Sequence, residues 1–356
     1  MRRDYLLALS FCIFILSCST NEIDTNDTTN ISDNSDDSVD GGNQNNNDGG
    51  EFPWLLPENS INGSFNPFPL ALNPNLKAAK DVDFISDNSL VAMISFKNEI
   101  RVYPYQYLNR FESVNDNMDG VNFSMTYCPL TKSGLCWDRN YRNEKFVLRA
   151  SGYLYNDNLI AFDSNSDTYW SQMLATCVKG KYSGQNNKTY NFVETTWATV
   201  KSHFANARVF TNTSVGNNSE SSKDAISDGE GIYGIIDLEF VPDLNKGNHV
   251  YFYRYDYFQN MTKLISTNIS NKNIVVIGNQ DLHFITSFIN DQNASFSAVQ
   301  NQFPMIMQDS KNNKWNVFGI AVEGPRKGQQ LESLTAFVAS WSAWQLFYKD
   351  YIFVEK

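Results

Sequence analysis

The run with the clearest chemical potential is TYCPLTKSG at residues 126–134. An apolar strand is predicted to end at Cys128, and a tight polar loop follows it. Successive backbone N–H groups in such a loop can form an anion-binding nest, and Lys132 adds a positive charge. Both features favour a thiolate, so Cys128 is a candidate nucleophile. Thr131 and Lys132 are candidate binding residues beside it.

Two other interpretations of Cys128 remain open. In an oxidising compartment it could form a hairpin disulfide with Cys136, or it could be a buried, inert thiol. With Cys177 the chain beyond residue 18 holds three cysteines, and three thiols cannot all pair within one chain. A disulfide with Cys136 would remove the nucleophile, and the bond would then only stabilise the fold.

Other familiar chemistries are not indicated. The three histidines, His203, His249 and His283, are scattered, and the sequence has no HExxH or paired CxxC pattern, so no metal site is expected. It has no GxGxxG, Walker or GxSxG motif either, and we expect no cofactor.

Two parts of the chain repeat each other at a nearly constant offset. GKYSGQ at 180–185 corresponds to GPRKGQ at 324–329, and Trp197 corresponds to Trp341, both at an offset of 144. An ordered series of such matches predicts an internal duplication. The other matching pairs are 163–164 with 309–310, Trp170 with Trp315, and VYPY at 102–105 with VYFY at 250–253.

The duplication sets the expected domain organisation. Copy one spans 84–211 and copy two spans 232–356, and a pseudo-two-fold axis is expected to relate them. Residues 212–231 are rich in Asn, Ser, Gly and Asp and are interpreted as a linker. The proline-rich residues 52–83 are interpreted as an extended lead-in that packs on the surface.

The predicted fold class is α+β and dominated by β-strands. Short runs rich in β-branched and aromatic residues alternate with turn signals. Short helices are predicted after Pro104 and near Trp197. The strand candidates in copy one are 90–96, 100–103, 121–127, 146–150 and 159–162, and the helix candidates are 105–111 and 194–205.

Copy one resembles the bacterial and archaeal domain-of-unknown-function 3179 family. The resemblance implies little about activity, although some members are similar to selenoproteins, which hints at redox chemistry near the Cys-Pro-Leu motif. The chain departs from the family at Thr131, where a second Cys is common, and at Phe111, where His is common, so a CxxC dithiol mechanism is not available here. The matching motifs are 101–104, 108–109, Glu112 with 114–116, 127–130, 137–139, 151–152 with 154–156, and Asp163 with 170–172.

Copy two lacks the Cys-Pro-Leu-Thr loop and the SGYLYN run of residues 151–156. Residues that both copies share therefore serve the fold, and those unique to copy one are the better functional candidates. We expect these candidates to converge in a concave pocket of copy one, with Glu112, a possible general base, at its edge. They are Glu112, Cys128, Thr131, Tyr155, Asn156 and Gln172.

The N-terminus predicts an exported lipoprotein. Residues 1–17 combine two arginines with a short apolar stretch, as in a signal peptide. The sequence ILSC at 15–18 resembles a bacterial lipobox, which implies cleavage before Cys18 and its acylation. Several acyl chains anchor a protein stably. Residues 18–51 include the lipidated Cys18 and a disordered, acidic tether.

The tether also explains the charge of the chain. Of the net charge of −11, residues 1–18 contribute +1 and residues 19–51 contribute −9, which leaves −3 for residues 52–356. A nearly neutral folded part does not favour nucleic acid. The expected partners are a lipid bilayer and a small molecule or glycan. The expected location is the cell envelope, at the outer membrane, with the folded part periplasmic or surface-exposed.

Two functions fit these observations. The first is a lipoprotein that binds a small molecule or glycan in a cleft of copy one, through Thr131, Lys132, Tyr155, Asn156 and Gln172. The alternative is a thiol-centred redox or acyl-transfer enzyme. In that case Cys128 would be the nucleophile, and Glu112 the base.

Overall fold

The computed structural model describes residues 52–97, 99–211, 231–238 and 249–354. The predicted signal peptide, Cys18 and the tether lie outside these residues, as does the linker up to residue 230. The chain from Gly50 to Lys356 forms one compact unit. Within the described residues, no helix has the length and apolar character needed to cross a membrane.

The first half consists mainly of short strands. Its elements are β1 (Ile61–Gly63), β2 (Ala71–Leu72), β3 (Leu76–Ala78), β4 (Leu90–Phe96), β5 (Glu99–Pro104), α1 (Tyr105–Phe111), β6 (Ser113–Met118), β7 (Val121–Cys128), β8 (Ser133–Asp138), β9 (Asn140–Tyr141), β10 (Glu144–Lys145), β11 (Leu148–Tyr155), β12 (Asn158–Asp163), β13 (Thr168–Ser171), β14 (Thr176–Lys179), β15 (Thr189–Tyr190), β16 (Val193–Thr196), α2 (Trp197–His203) and β17 (Arg208–Phe210). Two 3-10 turns, Glu58–Ser60 and Ala79–Asp81, lie in the lead-in.

The second half is built in the same manner, and the predicted β-dominated α+β class is confirmed. Its elements are β18 (Gly231–Asp237), β19 (His249–Arg254), α3 (Tyr255–Phe258), β20 (Lys263–Ile269), β21 (Lys272–Asn279), β22 (Phe284–Ile289), β23 (Phe296–Ala298), β24 (Met305–Asp309), β25 (Lys314–Asn316), β26 (Ala321–Glu323), β27 (Ala336–Ser340), α4 (Trp341–Phe347) and β28 (Tyr351–Phe353).

The strand orders of the two halves correspond. The described sheets of the first half are β16-β4-β5-β17-β3, β15-β8-β7-β6-β2 and β1-β11-β12-β13-β14, with a small β9-β10 ribbon. Those of the second half are β27-β18-β19-β28, β20-β21-β22 and β23-β24-β25-β26. In both, an antiparallel hairpin pairs with one antiparallel strand (β16 or β27) and one parallel strand (β17 or β28). The pseudo-two-fold relation itself remains a prediction.

The lead-in joins the sheets instead of only packing on them. Strand β1 pairs with β11, β2 with β6 and β3 with β17, so this segment adds an edge strand to each of three sheets. Pairing covers the free edges that would otherwise expose unpaired N–H and C=O groups.

Several predicted boundaries are confirmed and two need correction. The strand at 90–96 and the helix at 105–111 end where predicted. The helix predicted at 194–205 begins only at Trp197, because the residues before it form β16 against β4 and Thr196 caps the helix. The predicted match of residues 102–105 with 250–253 differs from the helix starts by two residues, since Tyr105 opens α1 and Tyr255 opens α3, an offset of 150.

The largest buried cluster crosses between the halves. It holds Trp137 and Trp170 of the first half together with Phe252 and Trp344 of the second. Large aromatic side chains bury much apolar area each. The two halves therefore share a core.

Candidate functional site

Cys128 is positioned by the hairpin of β7 and β8. It pairs with Ser133 across a four-residue turn, residues 129–132, which closes with Lys132 at a φ of 51°. Apolar residues along β7 carry Cys128 inward, so that it is only 1% exposed. The turn also presents Leu130 to solvent, 64% exposed. The predicted strand end at Cys128 is confirmed.

The sulfur of Cys128 lies among hydrogen-bonding groups but far from water. Its thiol donates to the carbonyl of Asp157 at 3.4 Å. Burial has the largest effect on the thiol and raises its pKa; the hydroxyl and N–H of Thr131 and the N–H of Leu159, which donate to the sulfur, oppose this. The net pKa is raised, so the thiol is neutral at pH 7. This is opposite to the predicted thiolate.

A buried hydroxyl network lies beside the thiol. Ser133 Oγ accepts from Gln172 Nε2 at 2.6 Å and from Asn158 Nδ2 at 3.0 Å, and Asn158 Nδ2 also reaches Thr131 Oγ1 at 2.9 Å. The two hydroxyls of Thr131 and Ser133 lie 2.8 Å apart. The hydroxyl of Thr131 donates its proton to the sulfur of Cys128. Between the two hydroxyls, Ser133 is therefore the donor and Thr131 the acceptor.

Gln172, a predicted site residue, belongs to this network through its amide nitrogen only. Its side chain is fully buried, and its Oε1 has no hydrogen-bond partner among the described residues. Asn158, which also donates to the network and accepts from the N–H of Met173 at 3.1 Å, was not predicted. Asn158 begins β12, where it pairs with Tyr155 and its side chain is buried.

Glu112 lies at the edge of the site. It ends α1 in the left-handed conformation, with a φ of 50°, and its carbonyl accepts from the N–H of Tyr127 at 3.0 Å. Burial raises the pKa of its carboxyl to about 7. Its charge in turn raises the pKa of the Cys128 thiol, which places the two groups within electrostatic reach.

Tyr155 and Asn156 meet the second half of the chain. The ring of Tyr155 packs edge-on against Phe347 of α4 at 5.5 Å, and Asn156 Nδ2 donates to the carbonyl of Leu346 at 3.4 Å. Cys128, Thr131 and Gln172 lie together around Ser133, whereas the side chains of Tyr155 and Asn156 contact α4. The latter two form a packed contact with the second half, and none of the five lines the cleft described below.

The disulfide interpretation is wrong for this structure. Cys128, Cys136 and Cys177 are all free and buried. Strand pairing places Cys136 opposite Met125, three residues before Cys128, a separation of about 10 Å along a strand. A disulfide requires Cα atoms closer than about 7 Å.

A second polar cluster, not predicted, surrounds Glu194 on β16. Glu194 accepts from the hydroxyl of Tyr105 at 2.7 Å and lies 3.5 Å from His283 Nε2. The ring of Tyr255 stacks on His283 at 4.3 Å. The sequence placed Glu194 inside a helix, which hid it. The described residues contain no group of three His, Cys, Asp or Glu side chains that could hold a metal ion.

A cleft of about 600 Å³ lies where the halves meet. Residues 187–191 of the first half and 330–335 of the second form two of its walls. Thr189 and Thr335, one from each half, share a hydrogen bond at 2.8 Å beside it. The other lining residues are Phe96, Val121, Ile236, Asp237, Leu238, Ser270, Lys272, Ile289 and Phe318.

Two residues of the cleft wall, Asn187 and Asn191, each have a buried side-chain acceptor. The side-chain oxygens of Asn187 and Asn191 have no hydrogen-bond partner among the described residues. Their nitrogens are committed, to the carbonyl of Asp138 at 2.8 Å and to the hydroxyl of Thr286 at 2.8 Å. An unpartnered buried acceptor costs about 1–3 kcal/mol, and both oxygens are shielded from solvent, so a ligand in the cleft would not reach them.

Comparison with known proteins gives a family and nothing closer. Neither the curated proteins nor the solved structures contain a match. The model of one family, described as "Protein of unknown function (DUF3179)", matches residues 66–351. That span includes both halves, the packed Cys128 site and the cleft between the halves, so the chain belongs to the DUF3179 family.

Proposed function

We propose that the protein is a lipid-anchored binding protein of the cell envelope, and that its ligand is a small organic molecule held in the cleft between the halves. Small-molecule sites are concave, enclose about 300–1,000 Å³ and often lie where two structural units meet. The cleft has a volume of about 600 Å³ and such a position.

The observation that carries this proposal is the lining of the cleft, which both halves supply and which combines polar side chains with the apolar surfaces of Phe96, Tyr190, Phe318 and Leu331. The cleft is a better ligand site than the Cys128 turn, because α4 already packs against Tyr155 and Asn156 there.

The anchor is part of the proposal. A signal peptide at 1–17 would direct export, acylated Cys18 would insert in the outer membrane, and the acidic residues 19–51 would act as a spacer. A tethered binding domain needs no charge of its own to stay near the membrane, which agrees with the small net charge of residues 52–356.

A blocked cleft tests the binding function. The protein used is the chain from residue 19 onward, which contains the whole compact unit. Ser333→Cys, labelled with fluorescein maleimide, blocks the cleft that Ser333 lines. Ser297→Cys, labelled in the same way, is the control. The three native thiols are buried and would not compete. Ligand-observed NMR with a panel of sugars, amino acids and carboxylic acids would then detect binding.

We expect at least one compound whose signal is lost in the labelled Ser333→Cys protein and kept in the labelled Ser297→Cys protein. Ser297 is exposed and does not line the cleft. If no compound distinguishes the two proteins, the cleft is not a ligand site and the proposed function is wrong.

A second candidate is redox or acyl-transfer chemistry at Cys128. The observation that favours it is the set of three donors to the sulfur, from Thr131 and Leu159, which would stabilise a thiolate once the site opened. Iodoacetamide should then modify Cys128 in the native protein faster than global unfolding allows. Modification at the unfolding rate would exclude this candidate.

A further inference from the structure

We propose that the exposed surface formed by α4 and β28 is the docking site of residues 219–228 of the same chain. These ten residues belong to the segment that is interpreted as a linker and lie outside the described residues. The corresponding surface of the first half is covered by the chain before β4, and the sequence before β18 matches that chain. Neither α4 nor β28 lines the cleft, so this contact is separate from the ligand site.

In the first half, the chain before β4 packs on α2 and on β17. Strand β3 pairs with the outer edge of β17, and Ala79 donates its N–H to the carbonyl of Ala207 at 2.9 Å. The carbonyl of Ser89 accepts from the N–H of Trp197, the first residue of α2, at 2.8 Å. Ala79 and Ile85 belong to the same apolar cluster as Trp197. As a result, Trp197 is 0% exposed and Ala207 is 5% exposed.

The corresponding positions of the second half are more exposed. Trp341 and Tyr351 follow Trp197 and Ala207 at an offset of 144; Trp341 is half-buried and Tyr351 is 41% exposed. Strand β28 ends its sheet, and no strand of the described residues pairs with its outer edge. A sheet edge with unpaired N–H and C=O groups beside apolar side chains favours the docking of a further segment.

The sequence before β18 matches the sequence that covers this surface in the first half. Ile-Ser-Asp at 85–87 recurs at 226–228, an offset of 141. Strands β4 and β18, which begin at Leu90 and Gly231, are also 141 positions apart. Further upstream, Lys-Asp at 80–81 recurs at 223–224, an offset of 143. Ordered matches with little drift in offset indicate that the duplication includes this segment.

The point where the segment rejoins the described chain also lies at this surface. Gly231 pairs with Ser340, the residue directly before Trp341, so the chain before Gly231 starts beside α4. Ile226 would take the place of Ile85, which is 4% exposed, and would cover the ring of Trp341. Removing these two apolar side chains from water favours docking over a free linker.

Two engineered cysteines test the contact in the chain from residue 19 onward. By the offsets above, residue 222 corresponds to Ala79 and should lie beside residues 350–351. Ser222→Cys with Asp350→Cys should therefore give about tenfold more intramolecular cross-link with bis-maleimidoethane than the control pair, Asn217→Cys with Asp350→Cys. The longer tether of residue 217 accounts for only about a twofold difference. The native thiols are buried and would not compete.

A change at Ile226 tests the apolar part of the contact. Ile226→Asp should lower the cross-link yield of the Ser222→Cys and Asp350→Cys pair to that of the control pair, because burying a charge is costly. Val215→Asp makes the same kind of change in the linker, outside the matching residues, and should leave the yield unchanged. The comparison of the two cysteine pairs needs no change at Ile226, so it decides the question even if Ile226→Asp does not fold.

Three outcomes would overturn the proposal. The first is an equal cross-link yield for the two cysteine pairs, and the second is a yield that Ile226→Asp leaves unchanged in a folded protein. The third is a cross-linked dimer of Asp350→Cys alone that forms as readily as the intramolecular product, which would assign the surface to a second copy of the chain. Each of these results leaves the cleft as a ligand site, because ligand binding there is measured separately with the label at Ser333→Cys.

Discussion

Replacing Glu112 with Gln should stabilise the protein at high pH and leave its stability unchanged at low pH. Burial raises the pKa of this carboxyl from 4.5 to about 7 in the folded chain. A raised carboxyl pKa means that the unfolded chain releases the proton more readily. Stability from this group is therefore complete below about pH 4.5 and is lost as the pH rises through about 7.

The magnitude follows from the two pKa values. Each tenfold change in proton affinity is worth about 1.4 kcal/mol, so a rise from 4.5 to about 7 corresponds to about 3 kcal/mol. Glu112 is half-buried, and water on its open side reduces the penalty, so we expect about 2–3 kcal/mol. Glu112→Gln carries no charge and avoids this loss.

Urea unfolding of the chain from residue 19 onward, between pH 5 and pH 9, measures the effect. The wild type should lose about 2–3 kcal/mol relative to Glu112→Gln across this range, with an unchanged dependence on urea. The exposed Glu58→Gln serves as the control for removal of a charge. Equal stability of Glu112→Gln and the wild type at pH 8 would refute the reasoning, as would a difference that does not vary with pH.

Three further outcomes are expected. Metabolic labelling with a fatty-acid analogue should mark the wild type but not Cys18→Ala; labelled, membrane-bound Cys18→Ala would place the anchor elsewhere. In denaturant without reductant the chain from residue 19 should show three reactive thiols, whereas a single one would indicate a disulfide. Ser133→Ala should lower the free energy of unfolding by about 1–3 kcal/mol, measured with urea, because it removes the acceptor of the Gln172 and Asn158 amide donors. The exposed Ser86→Ala is the control and should have no effect. An unchanged stability of Ser133→Ala would contradict the network.

Local signals in the sequence were sufficient for many elements. A continuous apolar run predicts β4, and Pro104 before an aromatic-rich stretch predicts α1. Pairing between distant segments was not predictable in this way. The proline-rich lead-in supplies β1, β2 and β3 only because sheet edges are available to it, and the residues around Glu194 form a strand because β4 lies beside them.

Several residues of the candidate site were predicted, but the burial and protonation state of its thiol were not. Cys128 ends β7, Gln172 directly follows β13, and Thr131 lies in the turn between β7 and β8, so the hydrogen bonds of Ser133 bring Thr131 and Gln172 together beside the thiol. The sequence indicated an activated thiol, since a polar loop with a lysine follows it. The opposite pKa direction results from burial, and the contact of α4 with Tyr155 depends on residues about 190 positions away.

The packing of the halves explains why the cleft, and not the Cys128 turn, is open. The carbonyl of Thr131 accepts from the N–H of Ser340 at 2.9 Å, and the carbonyl of Leu282, in the corresponding turn of the second half, accepts from Thr195 Oγ1 at 2.6 Å. Each half thus covers the turn of the other. The bond from Ser340 to Thr131 is one of several that join the halves, and it holds the turn that follows Cys128 against the second half. The cleft beside Thr189 does not depend on that contact, and a ligand there would meet both halves without separating them.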